Sequence, residues 1–348
     1  MRKKIRVGIL FGGKSVEHEA SLLSAKNVVD AMDKEKYMPV MMAIDRNGVW
    51  LVDGQRVALV PEGRGELVFV DTGKKEHVDV VFPVLHGTFG EDGTIQGALK
   101  IADVPFVGSG VLASSVGMDK DVAKRLLRDA RIPIARFEVY TSSDAIQFSI
   151  LAKQFGLPLF VKPANAGSSV GVHKVRTEEE FVSAIANAFQ YDKKILIEEC
   201  IVGREIECAV LGNEHPKASF PGEIIPSVDF YTYQAKYFDE SLVELHAPAQ
   251  LSQEETNLVQ DLALRTYKTL CCEGLSRIDF FLNENGELLV NEINTIPGFT
   301  SASMYPLLWL KSGIAYPALI DQLIMFAFER FEKEQKLHYT PPLTSANS

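Results

Sequence analysis

The chain is 348 residues long, enough for two or three domains with buried cores and no need of a disulfide or metal staple. Hydrophobic residues make up 46% and charged residues 24%, which excludes a disordered, collagenous or fibrous chain. With 36 Lys and Arg against 46 Asp and Glu the net charge is −10, so the chain lacks the basic footprint of a nucleic-acid binder, and any anionic ligand must be held by a local site.

The start, MRKKIRVGILF, is basic like a secretory leader, but its apolar stretch from Ile5 to Phe11 is short and interrupted by Arg6. A first strand over 5–11 fits better. Gly12-Gly13 and a helical pattern from about Val16 to Met32 follow, then a strand over 37–45. Residues 49–77 alternate short β-like pieces with Gly-rich turns; 79–85 reads as a strand, and a helix lies near 93–102. This strand–helix alternation predicts an open α/β domain over 1–118 built on a parallel sheet. GGKSVEHE and HGTFGEDG fall at carboxyl ends of its strands, where such sheets bind ligands.

A second domain is expected over 119–202, with helices at 119–130, 143–155 and 177–189 and strands at 136–140, 157–163, 172–175 and 194–199 in an antiparallel sheet. The third, over 203–335, opens with the strand REIECAVLG. It continues through a long polar, aromatic-rich segment whose lid loop is placed at 226–248. A helix over 253–270, strands at 275–283 and 287–293 around the turn NENG, and closing helices complete it. The tail 336–348 is expected to be disordered. No run approaches the roughly 18 apolar residues of a membrane span. The four Cys show no metal spacing and read as buried thiols of a reducing cytosol. His173, His215 and His246 read as surface residues without partners.

Three motifs carry chemistry. Gly8 to Ser15 fits G-x-x-x-x-G-K-[ST] letter for letter, but Gly8 and the ILF run belong inside the strand. What remains, Gly12-Gly13, is a tight turn rather than a phosphate-cradling loop. The loop from Lys162 to Gly171, KPANAGSSVG, is the better phosphate candidate: its glycines and serines supply N–H groups and hydroxyls, and Lys162 supplies charge. The third motif is decisive. Glu292 and Asn294 are two apart on a strand and project from one face, and the NENG hairpin can bring Asp279 opposite them. Two carboxylates and an amide oxygen form a hard ligand set suited to Mg²⁺.

In order and spacing, the blocks FGGKSVEHEASLLSA, LHGTFGEDGTIQG, VKPANAGSSVGV, YQAKY, SRIDFF and NEINTIPGFTS resemble the ATP-grasp superfamily and, within it, the D-alanine–D-alanine ligases. The resemblance spans roughly residues 5 to 320. It implies a three-domain α/β fold, α+β in its central and C-terminal parts, with ATP between the second and third domains. It also implies ATP-dependent joining of two D-alanines through an acyl phosphate for cell-wall synthesis, two Mg²⁺ ions with Mn²⁺ as a substitute, a cytoplasmic location and a homodimer. No nucleic-acid or membrane partner is implied.

Carried over residue by residue, Lys120 and Lys162 would contact the ATP phosphates with the loop serines Ser168 and Ser169. Lys236 would reach the γ-phosphate from the lid. Glu198 and Glu205 would hold adenine and ribose, and backbone around Glu199 to Ile201 would complete that site. Asp279, Glu292 and Asn294 would bind the metal ions. Glu17 would accept from the first D-alanine's ammonium, with Ser168 and Tyr237 closing the lid around it, and His86 would lie near that substrate's carboxylate. Arg277 and the Gly298 N–H would hold the oxyanion. Ser303 and Met304 would take the second D-alanine's carboxylate. Position 304 is commonly Leu in this family and 199 often Lys, so only the side-chain part of the contact at Glu199 departs from the pattern. Ligases pairing D-alanine with D-lactate or D-serine share the fold and are the nearest alternative; a nucleotide-binding protein without turnover is the remote one.

Overall fold

The computed structural model describes residues 3–226, 243–300 and 302–338. The first apolar run forms β1 (Ile5–Gly12), and α1 (His18–Ala31) follows it. β2 (Tyr37–Ile44), β3 (Trp50–Val52), β4 (Gln55–Leu59), β5 (Glu66–Phe69), β6 (Lys75–His77) and β7 (Val80–Pro83) complete a seven-stranded sheet in the order β6-β5-β4-β3-β2-β1-β7. Only β1 pairs in parallel, with β2 and β7; from β2 to β6 every pairing is antiparallel. The expected parallel sheet is therefore a mixed one. A parallel return needs a crossover of a dozen or more residues, and the connections between β2 and β6 are too short for that. α2 (Thr94–Ile101) lies where expected. α3 (Val111–Met118), built largely of small residues without a clear apolar stripe, was not foreseen.

α4 (Lys120–Asp129) is capped by Asp119, whose side chain accepts from the Asp121 and Val122 N–H groups. β8 (Phe137–Thr141), α5 (Phe148–Phe155), β9 (Leu159–Pro163), β10 (His173–Val175), α6 (Glu178–Ala188) and β11 (Lys194–Glu199) follow. Their sheet, β10-β9-β11-β8, is antiparallel throughout, as expected. α5 starts five residues later than its pattern suggested. Asp144 accepts from the Thr141 N–H and hydroxyl and holds the intervening chain in a turn. α5 and α6 cover this sheet with a core of its own.

The third sheet is built by β12 (Gly203–Leu211), β13 (Lys217–Ala218), β14 (Gly222–Pro226), β15 (Val243–His246), β16 (Leu275–Asn283) and β17 (Leu288–Asn294). α7 (Gln253–Thr269) packs on one face, against Ile206, Cys208, Val210, Ile278 and Phe280. By strand alternation Glu205, Glu207, Arg277 and Asp279 look out from the other face. β17 enters this pattern through a bulge: Phe280 faces Val290 but Asp279 faces Glu292, so Asn291 is an extra residue. Before the bulge the even-numbered Leu288 and Val290 are core; after it Ile293 is core, and Glu292 and Asn294 join Asp279 on the open face.

α8 (Met304–Lys311) and α9 (Tyr316–Glu334) close the described chain. They pack on the first sheet, not only on the third: Leu319, Ile320 and Leu323 share a core with Val7, Ile9, Val80 and Phe82. Phe299 meets Phe82 edge-on at 5.8 Å. The segment after β17 is thus pinned against the carboxyl ends of β1 and β7. No described helix is long and apolar enough to cross a membrane.

Two surface expectations are corrected. Cys271 is exposed and Cys200 half-buried, so only Cys208 and Cys272 are buried thiols. His173 bonds Asn187 at 2.8 Å, a pairing made by the fold, and His246 bonds Glu244 at 2.7 Å, two residues away on the same strand.

Candidate active site

A cavity of about 850 Å³ opens where the three sheets meet. From the first sheet it receives Glu17, the residue that precedes α1, which is 5% exposed. The Glu17 carboxylate accepts from the Ser168 hydroxyl of the β9–β10 loop, 151 residues away. Ser168 and Ser169 both hold positive φ, at 49° and 60°, a conformation that bulky residues avoid. Gly87 (φ +71°) passes so close that a Cβ there would lie 2.5 Å from Glu17 Oε2. This accounts for the glycine of the HG pair.

His86 lines the cavity, but both ring nitrogens meet protein atoms. Nδ1 donates to the Ile296 carbonyl at 2.9 Å, which leaves Nε2, 3.2 Å from Ser24 Oγ, to accept in the neutral ring. Glu91 was not foreseen, although it lies in the HGTFGEDG block. Its carboxylate accepts from the Gly87 and Ile296 N–H groups at 2.8 and 3.0 Å. Burial, helped by the nearby Glu17 charge, pushes it up to about 7.

The opposite wall comes from the third sheet. Glu207, Asp279 and Glu292 lie in register across β12, β16 and β17, with Arg277 and Asn294 in the next row. Arg277 is 7% exposed and donates through Nε and Nη2 to the two oxygens of Asp279, each at 2.7 Å. Its Nε is also 3.1 Å from Glu207 Oε2. Burial opposes the guanidinium's charge, but Asp279 and Glu207 outweigh it and hold the group well above its ordinary value. Asn294 Nδ2 donates to Asp279 Oδ2 at 2.9 Å, which leaves the amide oxygen as its acceptor. Glu207 was not foreseen; its signal was alternation, which puts it on the same face of REIECAVLG as Glu205.

Beyond β17, a Cβ on Gly298 would sit 2.7 Å from Ser303 Oγ, so a bare glycine lets the chain close against α8. Ser303 Oγ accepts from the Thr300 N–H at 3.0 Å. Met304 opens α8 and is buried in the cavity wall, so a helix N-terminus with open N–H groups faces the space.

Lys120 lies at the rim. Its ammonium donates to the Ala166 carbonyl at 2.7 Å and stands 3.8 Å from Glu292. Ser168 lines the cavity, whereas the other described ATP-contact candidates, Lys162, Ser169, Glu198, Glu199, Ile201 and Glu205, lie outside its lining. Lys162 and Glu198 pair at 2.6 Å. Behind them Lys124, which was not foreseen, stands 3.2 Å from the other Glu198 oxygen and is 2% exposed. Burial brings Lys124 down to about 8. Burial alone would raise Glu198, but Lys124 and Lys162 hold it below the usual range. Glu199 is committed to Arg136, accepting from its backbone N–H at 2.7 Å and its Nε at 2.6 Å. Ser169, Ile201 and Glu205 are half-buried. Lys236 and Tyr237 lie outside the described residues.

The residues suit a hard divalent cation. Asp279, Glu292 and Asn294 present oxygen donors on one face. Among the described residues the cavity lining carries five glutamates against two lysines and one arginine, an acid excess that bound cations would balance. No three of His, Cys, Asp and Glu converge on a metal point among the described residues, so an ion here would need the amide and ligands from substrate as well.

Known proteins resemble the chain along nearly its whole length. Family models described as the D-ala D-ala ligase N-terminus and C-terminus match residues 6–109 and 126–325. The chain is 51% identical to D-alanine--D-alanine ligase of Oceanobacillus iheyensis, covering 97% of this chain and 98% of that one. It superposes on the D-alanine-D-alanine ligase from Coxiella burnetii with a TM-score of 0.88, at 38% identity and 96% of each chain. It also superposes on the VanG D-Ala:D-Ser ligase from Enterococcus faecalis with a TM-score of 0.83, at 34% identity over 93% of this chain and 100% of that one. With an acidic cavity bounded by the β9–β10 hairpin loop and an arginine–carboxylate row, and with both halves matched along nearly their whole length, the chain belongs to the D-alanine–D-alanine ligase family of ATP-grasp proteins.

Proposed function

We infer that this chain joins two D-alanine molecules at the expense of ATP, supplying D-alanyl-D-alanine for peptidoglycan synthesis. The observation that carries the reading is the Glu17–Ser168 bond, which ties α1 to the β9–β10 loop across one cavity from Arg277, Gly298 and Ser303. An ammonium acceptor on one wall and an oxyanion donor on the other match a substrate held between them.

A carboxylate and an amine do not condense usefully in water, so a leaving group must be made first. A carboxylate oxygen of the first D-alanine attacks the γ-phosphorus and ADP departs, leaving an acyl phosphate. Glu17 holds that substrate's ammonium, and Lys120 and Lys162 offset phosphate charge. Glu198 accepts from the adenine amino group, Glu205 from the ribose, and backbone at 199–201 completes the nucleotide site. Mg²⁺ at Asp279, Glu292 and Asn294, with two ions expected and Mn²⁺ able to substitute, would neutralise the phosphates. The neutral amine of the second D-alanine then attacks the acyl carbon. Arg277 and the Gly298 N–H stabilise the oxyanion, and the intermediate collapses with loss of phosphate, which takes up the proton the amine gives up. Ser303 and the α8 N-terminus hold the second carboxylate. Lid closure through Lys236 and Tyr237 would exclude water, which otherwise hydrolyses the acyl phosphate.

The domain limits 1–118, 119–202 and 203–335, a cytoplasmic location and a homodimer belong to the same proposal. The test is ATP-dependent phosphate release with Mg²⁺ and D-alanine, beside D-alanine paired with D-lactate or D-serine, with products identified by mass. D-alanyl-D-alanine from D-alanine alone is expected. Turnover only with a mixed pair would overturn the second-substrate assignment, and ATP binding without turnover of any pair would overturn the ligase reading.

A further inference from the structure

Glu207 has no task in the reaction as described, yet it is 4% exposed and lines the cavity. It stands directly opposite Asp279 on the neighbouring strand, with Oε2 3.1 Å from Arg277 Nε. One guanidinium therefore serves two carboxylates, the buried Glu207 and the half-buried Asp279. Asp279 is the more heavily used: Arg277 takes both its oxygens at 2.7 Å, and Asn294 takes Oδ2 at 2.9 Å. Oδ2 thus accepts two bonds and Oδ1 one. A divalent cation that takes both Asp279 oxygens must displace a donor from Oδ2, and the Arg277 Nη2 arm is one of the two held there. A buried guanidinium released without a second anion would be left unpaired at high cost. Glu207 is that second anion.

We propose that Glu207 is a positioning residue that holds Arg277 in the cavity wall when Asp279 turns to the metal. The inference rests on the reading of Arg277 and Asp279 given above. Glu207 touches neither substrate nor metal in this role. It keeps the oxyanion donor in place and, by competing for the guanidinium, frees Asp279. The row of carboxylates across β12, β16 and β17 thus has two functions, with Asp279 between them.

The test uses the full chain and the variants Glu207→Gln, Glu207→Asp and Arg277→Lys, with Glu19→Gln as a control that removes a charge from the cavity rim without touching Arg277. Thermal melts establish that each is folded. Binding of Mn²⁺ in the presence of ADP is followed by the free-ion EPR signal, and kcat and KM are measured for ATP and D-alanine. Glu207→Gln is expected to weaken Mn²⁺ binding about fivefold, because Arg277 then clings to Asp279. It is expected to lower kcat about tenfold with KM for ATP within about twofold. Glu207→Asp, which keeps the charge but draws the carboxylate back by one methylene, should follow Glu207→Gln. In the Arg277→Lys background Glu207→Gln should cost nothing more, because both act through one group. Full rescue by aspartate, or the same tenfold loss in the Arg277→Lys background, overturns the proposal. A wild-type chain that ligates nothing overturns the ligase reading instead, and the Mn²⁺ titration still decides whether Glu207 and Asp279 compete.

Discussion

Gly87→Ala should separate the site's geometry from the fold's stability. Gly87 holds φ +71°, and a Cβ there would lie 2.5 Å from Glu17 Oε2. Two costs follow. The left-handed conformation costs alanine about 1–2 kcal/mol. The collision must be relieved by moving the Glu17 carboxylate, which breaks its bond with Ser168. A hydrogen bond to a charged group is worth about 1.5–3 kcal/mol. Both costs fall on the fold, and the second falls also on whatever binds between Glu17 and the loop. The control is Gly54→Ala, at φ +73° with nothing within 4 Å, which carries the same backbone strain and no collision. Both variants should lose stability in urea unfolding, Gly87→Ala by more because it also gives up the Glu17–Ser168 bond. Only Gly87→Ala should lose kcat/KM for D-alanine, by about ten- to a hundredfold, the kinetic equivalent of the broken bond. If Gly87→Ala is folded and turns over D-alanine within about twofold of Gly54→Ala, the contact with Glu17 is not what the glycine protects.

Further outcomes follow from the buried charges. Lys124 is brought down from 10.5 to about 8 by burial, so between those values the unfolded chain binds more protons and the native state gains stability as pH rises. Urea unfolding of the wild type compared with Lys124→Met should show a difference that changes by about 3 kcal/mol across that window, and parallel curves would refute it. Glu292→Gln should raise the Mg²⁺ concentration for half-maximal rate by about tenfold or more with the melting temperature nearly unchanged; an unaltered Mg²⁺ curve would remove Glu292 from the metal set. Glu199→Ala should leave KM for ATP within about twofold, because its carboxylate is committed to Arg136 and only backbone at 199–201 is assigned to adenine; a large rise would return the side chain to the nucleotide site.

Much of the site was legible because its residues sit in ordered blocks whose local structure is set by short-range rules. Glycine pairs mark turns, alternation marks strands, and two-residue spacing puts Glu292 and Asn294 on one face. The residues missed share a different cause. Glu91, Lys124 and Glu207 are charged side chains in segments rich in charge, and pattern alone reads them as solvated. Burial comes from what packs over them, and that packing is long-range: Glu91 meets Ile296 across 205 residues, and Lys124 meets Glu198 from another element. The mixed first sheet was misread for a related reason, since alternation announces strands but connection length decides their direction.

Most of the element order, the hairpin loop, the candidate donor set and the family are readable from the chain's own patterns. Each depends on residues near one another along the chain or on motifs in a fixed order. Tertiary structure decided which groups face each other. The bulge at Asn291 turns Glu292 and Asn294 from the core phase to the open face, and no alternation pattern shows where a strand gains a residue. The packing of α9 on the first sheet brings Gly298 and Ser303 to the wall opposite Glu17. Pairing across three strands sets two carboxylates against one arginine. These placements follow from burying apolar faces between distant segments, a global condition that no local stretch of sequence contains.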